Sequence, residues 1–334
     1  MDERALYQNV DNTQPTIHNI AIAFQLNLER GNGDMEKVMS MKEAISTYVK
    51  SGDILFLSGT QHGEPSAAVH EIVRQRIDHL TLICCLVATS SLLIAEGLLD
   101  RMITAFTMRD EKRAHGLARA RRMNKLPVFE ETSHFGICLA LLAGQMGVPF
   151  MPTRCLIGSD LMRYNENLKT TQCPFTGETV GAVRAVVPDV GIIHVPRADA
   201  AGNAQKWGSL GVDREGINAS KKVIVVTEKI VPSDVIRKTP NLTIVPGFRV
   251  NAVVEQPWGA HPLHLAGCYN GDIWGFLADT RGKEKFEAYL ENFVHGVADW
   301  NAYLEKRKAV KGDDYFENLK VKNPISSDPI ITGY

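Results

Sequence analysis

No C-x-x-C pair occurs in this sequence, and its histidines and cysteines follow no regular spacing. The six cysteines, Cys84, Cys85, Cys138, Cys155, Cys173 and Cys268, sit mostly inside apolar segments. That placement marks reduced core residues and disfavours both a disulfide framework and a structural zinc site. Neither charge sign is in surplus: the formal net charge of -1 favours neither nucleic acid nor an anionic membrane as a partner. Long apolar runs are missing too, since a stretch such as Leu80 to Ala95 is interrupted by Thr and Ser and is too short to span a bilayer. The first residues, MDERALYQNVDNTQ, are acidic and polar where a secretion signal would be basic and then apolar, so a cytoplasmic protein is expected. Also absent are G-x-G-x-x-G and G-x-x-x-x-G-K-[ST], the usual nucleotide-phosphate loops, and G-x-S-x-G and H-E-x-x-H, the easiest hydrolase signatures.

What the chain does have is enough apolar residue, 44% of 334, to bury a sizeable core as one large α/β domain or two ordinary ones. Residues 1–36 lack a sustained apolar period and carry the turn-rich Arg30-Gly31-Asn32-Gly33-Asp34, which predicts an extension. From Ser40 the pattern sharpens. Ser40-Met41-Lys42-Glu43 fits a capping box for a helix to about Val49, and Lys50-Ser51-Gly52-Asp53 turns the chain into a strand at 54–58. Pro65-Ser66 starts a second helix, 80–88 reads as a strand, the segment around 92–99 as a helix and 102–106 as a third strand. The alternation continues with a helix at 133–146, a strand at 149–156 and short β-branched strands at 190–195, 223–227 and 250–254. A helix at 283–305 closes the domain, giving a core of 37–307 and a polar, Pro-containing tail at 308–334. Such alternation implies βαβ units and a mostly parallel sheet covered on both faces, a three-layer αβα architecture.

Polar loops follow the buried strands, and in an open parallel sheet those strand ends are where ligands bind. The first loop, Ser58-Gly59-Thr60-Gln61-His62-Gly63-Glu64-Pro65, has two glycines that can turn backbone N–H groups toward an oxyanion or phosphoryl group, or merely connect strand to helix. The second, Phe150 to Asp160, places Arg154 in an apolar run; its guanidinium needs either a substrate carboxylate or a structural partner such as Glu130 or Glu131. Ser159 lies in the same loop. A third, Arg197 to Asn203, sets Asp199 and Asn203 beside Gly202, the composition of a tight turn. The fourth, Pro257-Trp258-Gly259-Ala260-His261-Pro262, offers His261 as a donor or base, or as a satisfied structural histidine. The basic stretch Arg109 to Lys125, with Arg119, Arg121 and Arg122, is either a solvated helix face or a phosphate receiver.

Taken together, these stretches resemble the α-subunit of the family I CoA-transferases, of the glutaconate CoA-transferase type. The matching segments are SGDILFLSG followed by PSAAVHEIVRQRIDHLT, then VPFMPTRCLIGSD, the DAAGN turn, IVPGFRVNAVVEQPWGAHP and NLKV, spanning Val38 to about Lys322. The family signature G-G-F-x-x-x-G-x-P is replaced by SGTQHGEP, with Ser58 for the first Gly, Thr60 for the Phe and one residue fewer before Gly63. The resemblance implies CoA as a substrate and no bound cofactor or metal. It also implies a homologous β-subunit in a heterodimer or heterotetramer, whose Glu-x-Gly glutamate carries the glutamyl-CoA thioester. The carried-over binding residues are Gly59, Thr60, Gln61, His62, Gly63, Arg154, Ser159, Asn203 and His261. The chain also resembles the α-subunit of a hydrolase that opens a carbon ring in CoA-linked steroid fragments. Under that alternative, a hydrolase or decarboxylase on a cyclic or dicarboxylic CoA thioester, His134 stands at the family's glutamate position with Glu131 one turn earlier, and these two would be catalytic.

Overall fold

Ser40 opens the first helix through a closed capping box: its Oγ accepts from Glu43 N at 3.2 Å while the Glu43 carboxylate accepts from Ser40 N at 3.0 Å. The computed structural model describes residues 37–60, 62–86, 88–107 and 115–322, so the expected extension 1–36, Gln61 and the end of the tail lie outside it. After α1 (Met41–Tyr48) come β1 (Ile54–Leu57), α2 (Ser66–Gln75), β2 (Leu80–Leu86), α3 (Ser91–Ala95), β3 (Leu99–Phe106), α4 (His115–Arg122), β4 (Val128–Glu131) and α5 (His134–Met146). An inserted stretch holds β5 (Phe150–Thr153), α6 (Leu161–Tyr164), β6 (Leu168–Gln172) and β7 (Thr179–Arg184). The alternation resumes with β8 (Val190–Val195), β9 (Arg197–Ala198), β10 (Ala204–Gln205), α7 (Asp213–Ala219), β11 (Lys222–Thr227), α8 (Ser233–Arg237), β12 (Thr243–Val245) and β13 (Ala252–Glu255). It ends in α9 (Ile273–Asp279), α10 (Lys283–Tyr289), α11 (Trp300–Lys311) and α12 (Tyr315–Leu319).

Seven strands form one parallel sheet in the order β13-β11-β8-β1-β2-β3-β4. Both of its faces are covered, and the strand residues divide between them with period two. Leu55, Leu57, Leu80, Leu82, Val190, Ile192, Ile224, Val226, Ala252 and Val254 join the cluster under α1, α2, α3, α4 and the C-terminal helices. Phe56, Ile83 and Cys85 face the opposite layer with Ile137 and Leu141 of α5, and Ile193, Val223, Val225 and Val253 face Ile217 of α7. This is why the strands read as unbroken apolar runs: each residue has a buried face to occupy. Phe56 lies so close under α7 that a Cβ at position 216 would overlap its ring, which accounts for Gly216 in a helix.

From β1 the chain walks outward through β2, β3 and β4, then returns to β8 on the other side of β1. The β1/β8 boundary is therefore the topological switch point, where an open α/β sheet leaves a crevice at its carboxyl edge.

Three expectations are corrected. The strand expected at 149–156 is not part of the alternation; β5 pairs antiparallel with β7 in a separate sheet of order β5-β7-β6. Pro152 has no N–H to donate, and β5 is an edge strand, the place a sheet tolerates proline. The continuous helix expected at 283–305 is interrupted: α10 passes into a π-helical turn at Leu290–His295, Gly296 to Asp299 break the run, and Asp299 caps α11 by accepting from Ala302 N at 2.8 Å. The strand expected at 250–254 begins two residues later, since Val250 ends a 3₁₀ turn. In the described part of the tail, α11 extends to Lys311, and Asn270 N donates to Leu319 O at 2.8 Å where α12 ends.

Candidate active site

Four loops meet at the switch point, and the 58–65 loop is their hub. Ser58 N donates to Ile192 O, holding the exit of β1 against β8. Gly59, at φ +102°, lets the chain fold back so closely that a Cβ there would lie 2.7 Å from the Glu64 backbone. Its N–H donates to Asp213 Oδ1 at 2.7 Å, at the first position of α7. Asp213 Oδ2 meets Lys206 Nζ at 2.5 Å, and Lys206 also donates to His62 O at 3.3 Å. Both side chains of this ion pair are buried. Gly63 N donates to His264 O at 2.9 Å. The amides of Gly59 and Gly63, expected to face a reacting group, are thus donated inside the protein.

His62 is buried, and its partners set its tautomer. Nε2 accepts from Ala266 N at 3.0 Å, so Nδ1 carries the proton and donates to Ser209 O at 2.8 Å. Burial, and then the Lys206 ammonium, bring its pKa down to about 4. It is a neutral clamp between the 207–211 and 264–266 segments. Glu64 is buried as well, and its carboxylate accepts from Thr89 N at 3.1 Å and Ser90 N at 2.8 Å, the turn that leaves β2. Burial raises its pKa, and those hydrogen bonds oppose the rise. Thr60 packs against Gly211, with its buried hydroxyl unpartnered among the described residues. Gln61 lies outside the described residues.

Behind the hub is a second polar cluster that sequence reasoning missed. His194, in β8, donates from Nε2 to Glu228 Oε1 at 2.6 Å, and the same oxygen accepts from Tyr269 OH at 2.9 Å. Glu228 Oε2 accepts from Trp258 N at 2.8 Å, and Trp258 stacks on Tyr269 with ring centroids 4.3 Å apart. Burial, and then Glu228, keep the Tyr269 hydroxyl protonated. A signal was present: Glu228 follows the apolar run 223–226 with only Thr227 between. Lys206 and Asp213 had none, because only the fold brings 206 beneath 62.

The remaining expected residues go elsewhere. Arg154 is exposed at the end of β5 and pairs with Glu178, at 2.6 and 3.2 Å, and not with Glu130 or Glu131. Glu130 instead pairs with Arg101. Ser159 Oγ donates to Leu156 O at 2.6 Å within its own turn. Asn203 donates twice to the Asp199 carboxylate and accepts from Gly247 N, closing the tight turn. His261 is fully buried, and Tyr315 OH donates to Asp272, so His261 Nε2 donates to Tyr315 and Nδ1 accepts from Tyr303 OH. Its loop is thereby tied to α11 and α12. His134 and Glu131 are exposed, at the start of α5 and the end of β4. Arg119 pairs with Glu287 and Glu96, and Arg122 with Glu287, so these two arginines of the basic stretch are answered by carboxylates.

Beside the hub, past the ends of β2 and β3, lies a cavity of about 570 Å³ lined by Ala88, Ile94, Phe106, Leu117, His264, Trp274 and Phe276 among others. His264 connects it to the loop through Gly63 N. Among the described residues, no cluster of three or more His, Cys, Asp or Glu could hold a metal, and no helix is long and apolar enough to cross a membrane.

The coenzyme A transferase family model matches residues 38–256. The chain is 34% identical to one subunit of the 3-oxoadipate CoA-transferase of Pseudomonas knackmussii, over 81% of this chain and 98% of that one. It is 32% identical to the corresponding subunit of the glutaconate CoA-transferase of Acidaminococcus fermentans, over 86% and 95%. The crystal structure of the latter enzyme superposes with a TM-score of 0.76 over 85% of this chain and 96% of that one, at 31% identity. Likeness to the cholesterol ring-cleaving hydrolase IpdA subunit of Rhodococcus jostii is lower, 26% over 85% and 96%. Family model, identity and fold agree, and the chain belongs to the coenzyme A transferase family.

Proposed function

We propose that this chain is the α-type subunit of a two-chain CoA-transferase, moving CoA from an acyl-CoA to a free carboxylic acid through a glutamyl-CoA thioester on a homologous partner. The partner's carboxylate attacks the thioester carbonyl, giving a mixed anhydride and CoA thiolate. The thiolate then attacks the glutamyl carbonyl, releasing the first acid and leaving glutamyl-CoA. An incoming carboxylate reverses the two steps, returning the glutamate and leaving with CoA.

One observation carries this division of labour. Two glutamates past strand ends, Glu64, buried, and Glu228, partly buried, already accept from two backbone amides in one case and from His194, Tyr269 and Trp258 N in the other. A carboxylate so engaged is a structural acceptor, and a nucleophile must come from elsewhere. This chain supplies the rigid face of the site: the 58–65 loop, held by Asp213, His264, Ser209 and Ala266, presents a fixed surface to the reacting carbonyl.

The complex purified with its partner, incubated with acetyl-CoA and then borohydride, should lose activity, with the reduced glutamate found by peptide mass spectrometry on the partner. A modified Glu64 or Glu228 would move the nucleophile to this chain. Full activity after borohydride, under conditions of turnover, would remove the thioester from the mechanism.

A further inference from the structure

The cavity beside the hub differs from it in chemistry. Its wall is built from Ile94, Leu117, Leu263, Ile273, Phe276 and Phe286, and its polar members are hydroxyls and two histidines, with no Asp, Glu, Lys or Arg among the described lining residues. His115 accepts from Gly282 N through Nε2 at 2.7 Å, and burial lowers the pKa of both His115 and His264, so neither supplies a cation at neutral pH. Of the described cations nearby, Arg119 is paired with Glu287 and Glu96 and Lys206 with Asp213, while Arg281, which is exposed, acts on His115 from outside the lining.

The rim adds a second observation. Trp274 is 80% exposed, Phe106 54% and Leu277 43%, three large apolar side chains in water around one opening. A volume of about 570 Å³ lies within the range of small-molecule sites. The cavity touches the hub on two sides, through His264, which accepts from Gly63 N, and through Ala88, next to the Thr89 amide held by Glu64.

We propose that this cavity receives the body of the acyl group, and that the group is apolar and monocarboxylic. The inference rests on the CoA-transfer reading for its place in the reaction. A second carboxylate pressed against the wall of Ile94, Leu117, Ile273 and Phe276 would shed its water onto apolar carbon, whereas an alkyl or aryl body would gain apolar contact with Phe276, Leu277 and Trp274. The chain would then differ in acid preference from the glutaconate and 3-oxoadipate enzymes it resembles, which are named for dicarboxylic acids.

The test compares acceptor acids with the two-chain complex and acetyl-CoA as donor. Hexanoate and phenylacetate should exceed glutarate and adipate in kcat/KM by at least about tenfold, the scale on which apolar pockets discriminate. Leu277→Arg, at a partly exposed rim position, should narrow or invert that ratio. In a separate binding measurement, hexanoyl-CoA should quench tryptophan fluorescence in the wild-type complex, and Trp274→Ala should abolish that quench. A wild-type preference for the dicarboxylates would overturn the inference. So would a Trp274→Ala complex that loses its partner but keeps its acid preference, which would make the rim an intersubunit seat. If no acid accepts CoA at all, the transferase reading falls, and the hexanoyl-CoA quench alone then decides the cavity: its absence ends the inference too.

Discussion

Two ion pairs of nearly equal length stand in contrasting places. Lys206 and Asp213 meet at 2.5 Å at the switch point of the parallel sheet, both buried. Arg154 and Glu178 meet at 2.6 Å on the antiparallel insertion, with side chains 78% and 44% exposed. Length says nothing of the difference; surroundings do. The buried pair is wired to Gly59 N and His62 O and so fixes the loop at the candidate site, while the exposed pair joins β5 to the turn before β7 in full view of water. Polar groups at the candidate site are spent on holding shape, and recognition is proposed to lie with the apolar cavity beside them.

The sharpest way to break this contrast is to remove one partner of the buried pair. Asp213→Ala leaves a buried ammonium uncompensated and also orphans Gly59 N, so it should cost about 3–5 kcal/mol in denaturant unfolding. The double replacement Lys206→Met with Asp213→Leu should recover most of that loss, because the penalty belongs to the unpaired charge. A loss under about 1 kcal/mol for the single variant would place the pair with ordinary surface bridges.

Next in size is acid sensitivity. His62 is neutral when folded, with its pKa brought down to about 4, against about 6.5 when unfolded. Between those values the unfolded chain binds the extra proton, so stability falls as pH drops from 6.5 toward 4, by roughly 3 kcal/mol from this residue. His70 and His261, also lowered by burial, act with the same sign, so the readout is a difference. His62→Gln should flatten the stability profile between pH 6.5 and 4 relative to wild type; parallel profiles would remove His62 from the acid response. Smaller again is Glu64→Gln, which keeps one acceptor oxygen for two amides and should cost about 1–3 kcal/mol at neutral pH, read from the same unfolding curves.

The parallel sheet was legible because fully buried strands leave continuous β-branched runs, as in 223–226, and the first helix because Ser40 and Glu43 cap it locally. The antiparallel insertion was not: β6 is polar on successive residues, LKTTQ, β7 is short and interrupted by Gly181, TVGAVR, and their pairing is set by the place of β7 between β5 and β6. At the site, the loop's location could be read, since glycines after a strand mark a turn at the sheet's edge. Its electrostatics could not, because Lys206 lies 144 positions from His62 and reaches it only through the fold. His261 shows the same limit: one histidine between Ala and Pro gives no hint that two tyrosines more than forty positions onward hold both of its nitrogens.

The smallest expected effect tests the other half of the contrast. Arg154 meets Glu178 where water solvates both groups and salt screens them, so Arg154→Ala should leave the unfolding midpoint unchanged at physiological ionic strength. Its kinetic consequence separates two pictures of the acid. If the acyl body is apolar and sits in the cavity, the variant transfers CoA to hexanoate with an unchanged KM. If Arg154 holds the far carboxylate of a diacid, one of the two readings the sequence leaves open, then Arg154→Ala raises KM for glutarate, and Glu178→Gln, which frees the guanidinium, lowers it. A midpoint shift as large as that of Asp213→Ala would instead show that burial is not what separates the two pairs.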